Sequence, residues 1–143
     1  MLLLLALLSP LLSTAQSQDW ESVQKTKNLR NFEGFLATQN ANANSCLEIQ
    51  GEQLPLLIAA RKYSSDYIVN WIIETKAIDQ KALCNRRTLL MHAVELGETG
   101  LVERFLRMGA DPTFKTGEGV SAFDLAAVLQ SSEIVALFQE HMK

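Results

Sequence analysis

Catalytic side chains are scarce in this chain, which carries only two histidines and two cysteines in 143 residues. His92 stands inside an apolar helical motif and His141 is the third residue from the end of the sequence. Neither has a cysteine, histidine or carboxylate at zinc-ligand spacing, and neither Cys46 nor Cys84 has the flanking pattern of a nucleophile. No metal and no cofactor are therefore expected, and the reading is of a non-enzymatic protein. A phosphate-cradling loop is lacking too, because Gly117 and Gly119 belong to a turn and do not open a strand-to-helix unit. Excess positive charge is absent: the net charge is -3 and the pI about 5.4, so nucleic acid is not an expected partner. The basic pairs Arg61-Lys62 and Arg86-Arg87 read as a solvated surface. His92 is read as structural, with a hydrogen bond to a neighbouring loop as one role.

Basic residues are also missing before Lys25, which bears on the apolar N-terminus. The run Met1 to Leu12 is too short to span a bilayer, and Ser13-Thr14-Ala15 places small residues where a signal peptidase reads them. Residues 1–15 are expected to be a secretory signal peptide cut after Ala15, although the usual basic leader is missing. Residues 16–143 then remain as one exported domain with no stable membrane span. An uncleaved anchor is the alternative.

What the chain has in abundance is recurrence. Leu89-Leu90-Met91-His92-Ala93-Val94 returns 33 residues later as Ala122-Phe123-Asp124-Leu125-Ala126-Ala127, and Leu101-Val102 returns as Ile134-Val135. A fixed period of this size marks stacked helical units. Leu90, Ala93 and Val94 fall at i, i+3 and i+4 on one helix, and Leu101, Val102, Phe105 and Leu106 on the next. Small Ala59-Ala60, Ala93 and Ala126-Ala127 allow close approach, and Phe105 and Phe138 fill the wider side. Gly109 ends its helix and Pro112 blocks continuation. Upstream, Leu54-Pro55-Leu56-Leu57-Ile58-Ala59-Ala60 begins another unit. Ala59 precedes Ala93 by 34 residues while Ile68 precedes Leu101 by 33, which implies one inserted residue near Tyr63-Ser64-Ser65-Asp66.

The segment from Arg87 to Pro112, with Gly109-Ala110-Asp111 at its end, resembles the ankyrin repeat, and Leu54 to Ala60 is similar to that family's Thr-Pro-Leu-His-x-Ala-Ala motif. The resemblance implies an all-α ankyrin-repeat solenoid of helix-turn-helix units with short hairpin-like connections. A degenerate repeat is expected at about 19–45, with clear ones at about 50–82, 84–116 and 117–143. A helix from Asp19 to Thr26 is expected to cap the open end through Trp20 and Val23. Trp71, which has no counterpart in the other units, reads as packing on an outer helix.

The resemblance also implies a concave protein-binding face. Its contact positions transfer onto Glu52, Gln53, Arg61 and Lys62, then Asn85, Arg87, Glu95 and Leu96, then Glu118, Val120, Val128 and Leu129. Leu96 and Leu129 fall in register and form an apolar strip flanked by charge. Alternatively, the last helix, expected from Glu133 to Met142, shields Val128 and Leu129. Export permits a Cys46–Cys84 disulfide, but Cys46 lies eight residues before Leu54 and Cys84 four before Thr88, so two separate thiols remain the other reading. By family resemblance, the function expected is binding and neutralising a partner protein in the periplasm, for example as an immunity protein against a secreted lipase-type toxin. The alternative is an envelope scaffold or a protection factor for a periplasmic enzyme.

Overall fold

The computed structural model describes residues 29–38, 41–63, 66–75 and 77–143. The expected leader and the capping helix from Asp19 lie outside the described residues. Among these, the chain forms α1 (Leu29–Thr38), β1 (Cys46–Ile49), β2 (Glu52–Pro55), α2 (Leu56–Lys62), α3 (Asp66–Thr75), α4 (Leu89–Leu96), α5 (Thr99–Arg107), α6 (Ala122–Val128) and α7 (Ser132–His141). The expectation of an all-α solenoid is corrected: the fold is mixed and helix-dominated, with a two-stranded antiparallel sheet at the first connection. The strands form because Gln50 and Gly51 both adopt positive φ, 53° and 79°, matching a tight turn to the twist of its strands. Ile49 and Leu54 then turn inward together while Glu48, Glu52 and Gln53 stay in solvent.

Helix pairs stack behind the hairpin. The first helices start at Leu56, Leu89 and Ala122, and the second at Asp66, Thr99 and Ser132, so both series keep a strict 33-residue spacing. This corrects the expected insertion near Tyr63. Ala60, not Ala59, is the counterpart of Ala93 and Ala126, and all three are fully buried where neighbouring helices meet. Pro55 takes the N-cap place held by Thr88 and Ser121. Thr88 accepts from the Met91 N–H at 3.3 Å, whereas Ser121 and Asp124 form a reciprocal capping box.

One continuous core runs through the units. Ile72, Phe105 and Phe138 occupy one register position, each with no solvent exposure, and fill the side away from the alanines. The α4 helix packs on its own partner α5 and on α2 and α6 at either side, while α5 packs on α7. In α1, Phe35 and Leu36 fall in register with Ile68-Val69 and are buried like them. Phe32 meets Trp71 edge-on with ring centroids 5.4 Å apart, so Trp71 is a half-buried packing residue. At the other end, buried Met91 and Val94 of α4 are replaced in α6 by exposed Asp124 and Ala127, which gives the stack a wettable flank.

Cys46 and Cys84 are joined in a disulfide with Cα atoms 5.3 Å apart. Their unequal offsets along the chain vanish in space because the hairpin folds back: Cys46 lies opposite Pro55, the residue just before α2. Cys84 lies opposite Arg87 at the base of a second tip, whose central residues Asn85 and Arg86 have φ of 51° and 64°. A third tip closes with Thr116 N–H donating to Val120 O at 3.0 Å, through Gly119 at φ 77°.

Gln80, in the linker between α3 and Cys84, buries both amide atoms without a protein partner among the described residues. A buried unpaired amide costs desolvation energy that an apolar side chain of similar shape does not. Gln80→Met is expected to raise the unfolding free energy by about 1 kcal/mol, read from the urea midpoint.

Candidate protein-binding surface

Two clefts flank the junction between the first two helix pairs. A cleft of about 200 Å³ lies between the hairpin and the second tip, lined by Glu52, Gln53, Leu54, Ile58, Lys62, Asn85, His92, Glu95 and Leu96. Its apolar side chains come from β2, α2 and the last turn of α4, and its other six lining residues are polar or charged. Lys62 is ion-paired with Glu52, and Arg87 with Glu95, so each carboxylate has a cation beside it. The hydrogen bond to Glu52 raises the Lys62 pKa above the ordinary amine value. These pairs are partly exposed and contribute little to stability; they preset the charge pattern that a partner meets.

His92 is the buried polar residue of this cleft. Its Nε2 lies 2.8 Å from Cys84 O, and a carbonyl only accepts, so Nε2 carries the proton and donates. Burial holds the ring below the ordinary imidazole pKa, against the upward pull of the Cys84 hydrogen bond and with nearby Arg87 adding to the depression. The ring is thus neutral in the folded protein and ties α4 to the second tip. The unfolded chain takes up a proton near the ordinary value of about 6.5. Stability from this site is therefore fully present above that pH and is lost as pH falls below it through the depressed folded value. Urea midpoints measured at pH 7.5 and 5.5 are expected to drop on acidification, and His92→Gln to flatten that part of the drop.

Six of the residues transferred from the resemblance, Glu52, Gln53, Lys62, Asn85, Glu95 and Leu96, meet around this one cleft. Arg87 joins them through Glu95. Arg61 does not. It turns the other way, donating to Asp66 at 2.5 Å and Glu98 at 3.0 Å, and lines a separate cleft of about 320 Å³ with Asp66, Val69, Asn70, Glu98, Gly100, Leu101 and Arg104. The cause is the one-residue slip in the first unit: in the true register Arg61 corresponds to Val94, and Lys62 to Glu95. The Glu98 hydrogen bond is the main reason that the Arg61 pKa is raised.

Glu118 sits on the third tip, paired with Arg86 of the second at 3.0 Å. Val120, Val128 and Leu129 lie outside the cleft and are 37%, 78% and 48% exposed. The reading in which α7 shields Val128 and Leu129 is thereby corrected: both residues, at the C-terminal end of α6, are left in solvent although α7 packs on that helix. Leu54, Ile58 and His92 are cleft residues that the transferred positions missed. Leu54 is the register partner of Arg87 and Val120, a signal that the slip concealed.

Among the described residues no group of three or more histidines, cysteines or acids is arranged to hold a metal ion, and no helix is long and apolar enough to cross a membrane. No family model and no curated protein matches this chain.

Proposed function

We propose that this chain is a non-enzymatic protein-binding module. Its binding face is the cleft between the hairpin and the second tip, continued by the apolar strip of Leu96, Leu129 and Val128. The observation that carries this reading is the convergence of two separate stretches, 52–62 and 85–96, on one cleft where Leu54, Ile58 and Leu96 stand among charge-paired polar side chains. Apolar contact area beside paired charges is a combination that protein interfaces present. The volume suits one large side chain of a partner. The Cys46–Cys84 disulfide supports an exported protein in an oxidising compartment such as the periplasm.

The role proposed for this face is inhibition or neutralisation of a partner by occupying its surface, of the kind an immunity protein exerts on a secreted lipase-type toxin. The larger cleft around Arg61 and Arg104, on a different side of the junction, favours a second reading as an envelope scaffold with two separable patches. Retrieval of a partner with the tagged chain, followed by assay of that partner's activity with and without the purified chain, tests the two. Stoichiometric loss of activity is expected for an inhibitor. A partner that stays fully active while bound contradicts inhibition and favours scaffolding.

A further inference from the structure

The disulfide stands at the cleft itself. Cys46 opens β1 and faces Pro55, next to the Leu47–Leu54 pair, and so anchors the hairpin that supplies Glu52, Gln53 and Leu54 to one wall. Cys84 opens the second tip, which supplies Asn85 to the other wall, and its carbonyl accepts from the His92 ring. Among the described residues no hydrogen bond or ion pair joins residues 46–55 to residues 84–87, so beyond van der Waals packing the disulfide is the direct link between hairpin and tip. The two sulfur-bearing residues differ in access: Cys46 is exposed and Cys84 is buried.

We propose that the Cys46–Cys84 disulfide is a redox clasp of the cleft, whose two-electron reduction by a dithiol frees the second tip from the hairpin and disassembles the binding face while α5, α6 and α7 remain folded. A thiolate of the dithiol attacks Cys46 Sγ on the accessible side. The S–S bond breaks, and Cys84 Sγ leaves as a thiolate and takes a proton. The second thiol of the dithiol then attacks the mixed disulfide, releasing Cys46 as a thiol and closing the reductant's own disulfide. The dithiol loses two electrons and two protons, and the protein gains both. The second tip has two internal backbone hydrogen bonds, of 2.9 and 3.1 Å, and its other ties, from Cys84 O to His92, Arg87 to Glu95 and Arg86 to Glu118, run to α4 and the third tip and not to the hairpin. The packing of Val102, Phe105, Ala126, Ile134 and Phe138 does not involve the bond. The regulatory meaning of the clasp rests on the proposed binding face; the opening itself does not.

Hydrogen exchange followed by mass spectrometry on the full chain, oxidised and in excess dithiothreitol, tests the opening without any partner. Residues 52–55 and 84–88 are expected to lose protection by about tenfold or more, while peptides from 99–141 keep theirs. The double variant Cys46→Ser, Cys84→Ser is expected to behave like the reduced protein without reductant, with the His92 ring titrating closer to its ordinary value. Unchanged protection at 52–55 and 84–88 after mass-verified reduction overturns the clasp. So does loss of protection throughout 99–141, which makes the bond a staple of the whole fold. Local opening with equal retention of a partner by both forms leaves the clasp standing and contradicts the binding-face reading.

Discussion

Truncation of Phe105 to alanine is expected to lower the unfolding free energy by about 3–5 kcal/mol. Phe105 has no solvent exposure and stands in the middle of the Ile72–Phe105–Phe138 row, on the helix that packs against both α4 and α7. Neighbours on both sides are held by their own helices, so the space left by the ring has little freedom to collapse, and the cavity cost adds to the lost transfer energy. Domains of this size have total stabilities of about 5–15 kcal/mol, so the loss removes a large part of what holds the stack together. With a urea slope of about 1–3 kcal/mol/M, the midpoint is expected to fall by about 2 M. Exposed Leu83→Ala serves as a control and should stay within about 0.5 kcal/mol. A Phe105→Ala midpoint within error of the parent contradicts the described core.

The second large effect falls on binding. Leu96→Asp is expected to weaken the partner complex by about 30- to 1,000-fold, the equivalent of about 2–4 kcal/mol at a central interface residue. Leu96 is half-buried at the end of α4, with Leu54 and Ile58 beside it in the cleft. A partner side chain seated there would strip water from a new carboxylate that already has the Glu95 carboxylate next to it in sequence, and a desolvated charge without a partner is costly. Stability is expected to suffer far less, because Leu96 keeps contact with solvent in the free protein. Leu96→Met, which preserves volume and apolarity, should restore affinity. Equilibrium titration of the partner at fixed ionic strength reads all three proteins.

The period of the stack was legible in the sequence because it is written in buried residues. Ala93 and Ala126, Leu101 and Ile134, Phe105 and Phe138 cannot change size freely, and they keep their spacing. Where two adjacent residues suit one slot, the sequence leaves the register ambiguous by one residue. Ala59 and Ala60 are both small and both buried, and Leu54-Pro55 resembles a helix-opening Thr-Pro pair, so the sequence pattern favours a register one residue out, which puts Arg61 on the cleft side. The hairpin stayed hidden because its turn is Gln50-Gly51. Gln50 gives no hint of the positive φ it adopts, unlike the asparagine that usually precedes glycine there. The disulfide is hidden for a related reason: the offsets of Cys46 and Cys84 along the chain differ, whereas the distance across a folded-back hairpin decides whether they meet. The exposure of Val128 and Leu129 depends on where α7 docks, which no local pattern specifies.

The central claim is that a partner seats in the cleft between the hairpin and the second tip. Site-specific photo-cross-linking tests it most directly, with a benzophenone side chain placed singly at Gln53, Asn85, Glu74 or Glu103, all exposed positions. Covalent capture of the partner from Gln53 and Asn85, with none from Glu74 on α3 or Glu103 on α5, is the predicted result. Capture from Glu74 or Glu103 with none from Gln53 and Asn85 would place the partner on the outer helices and contradict the account.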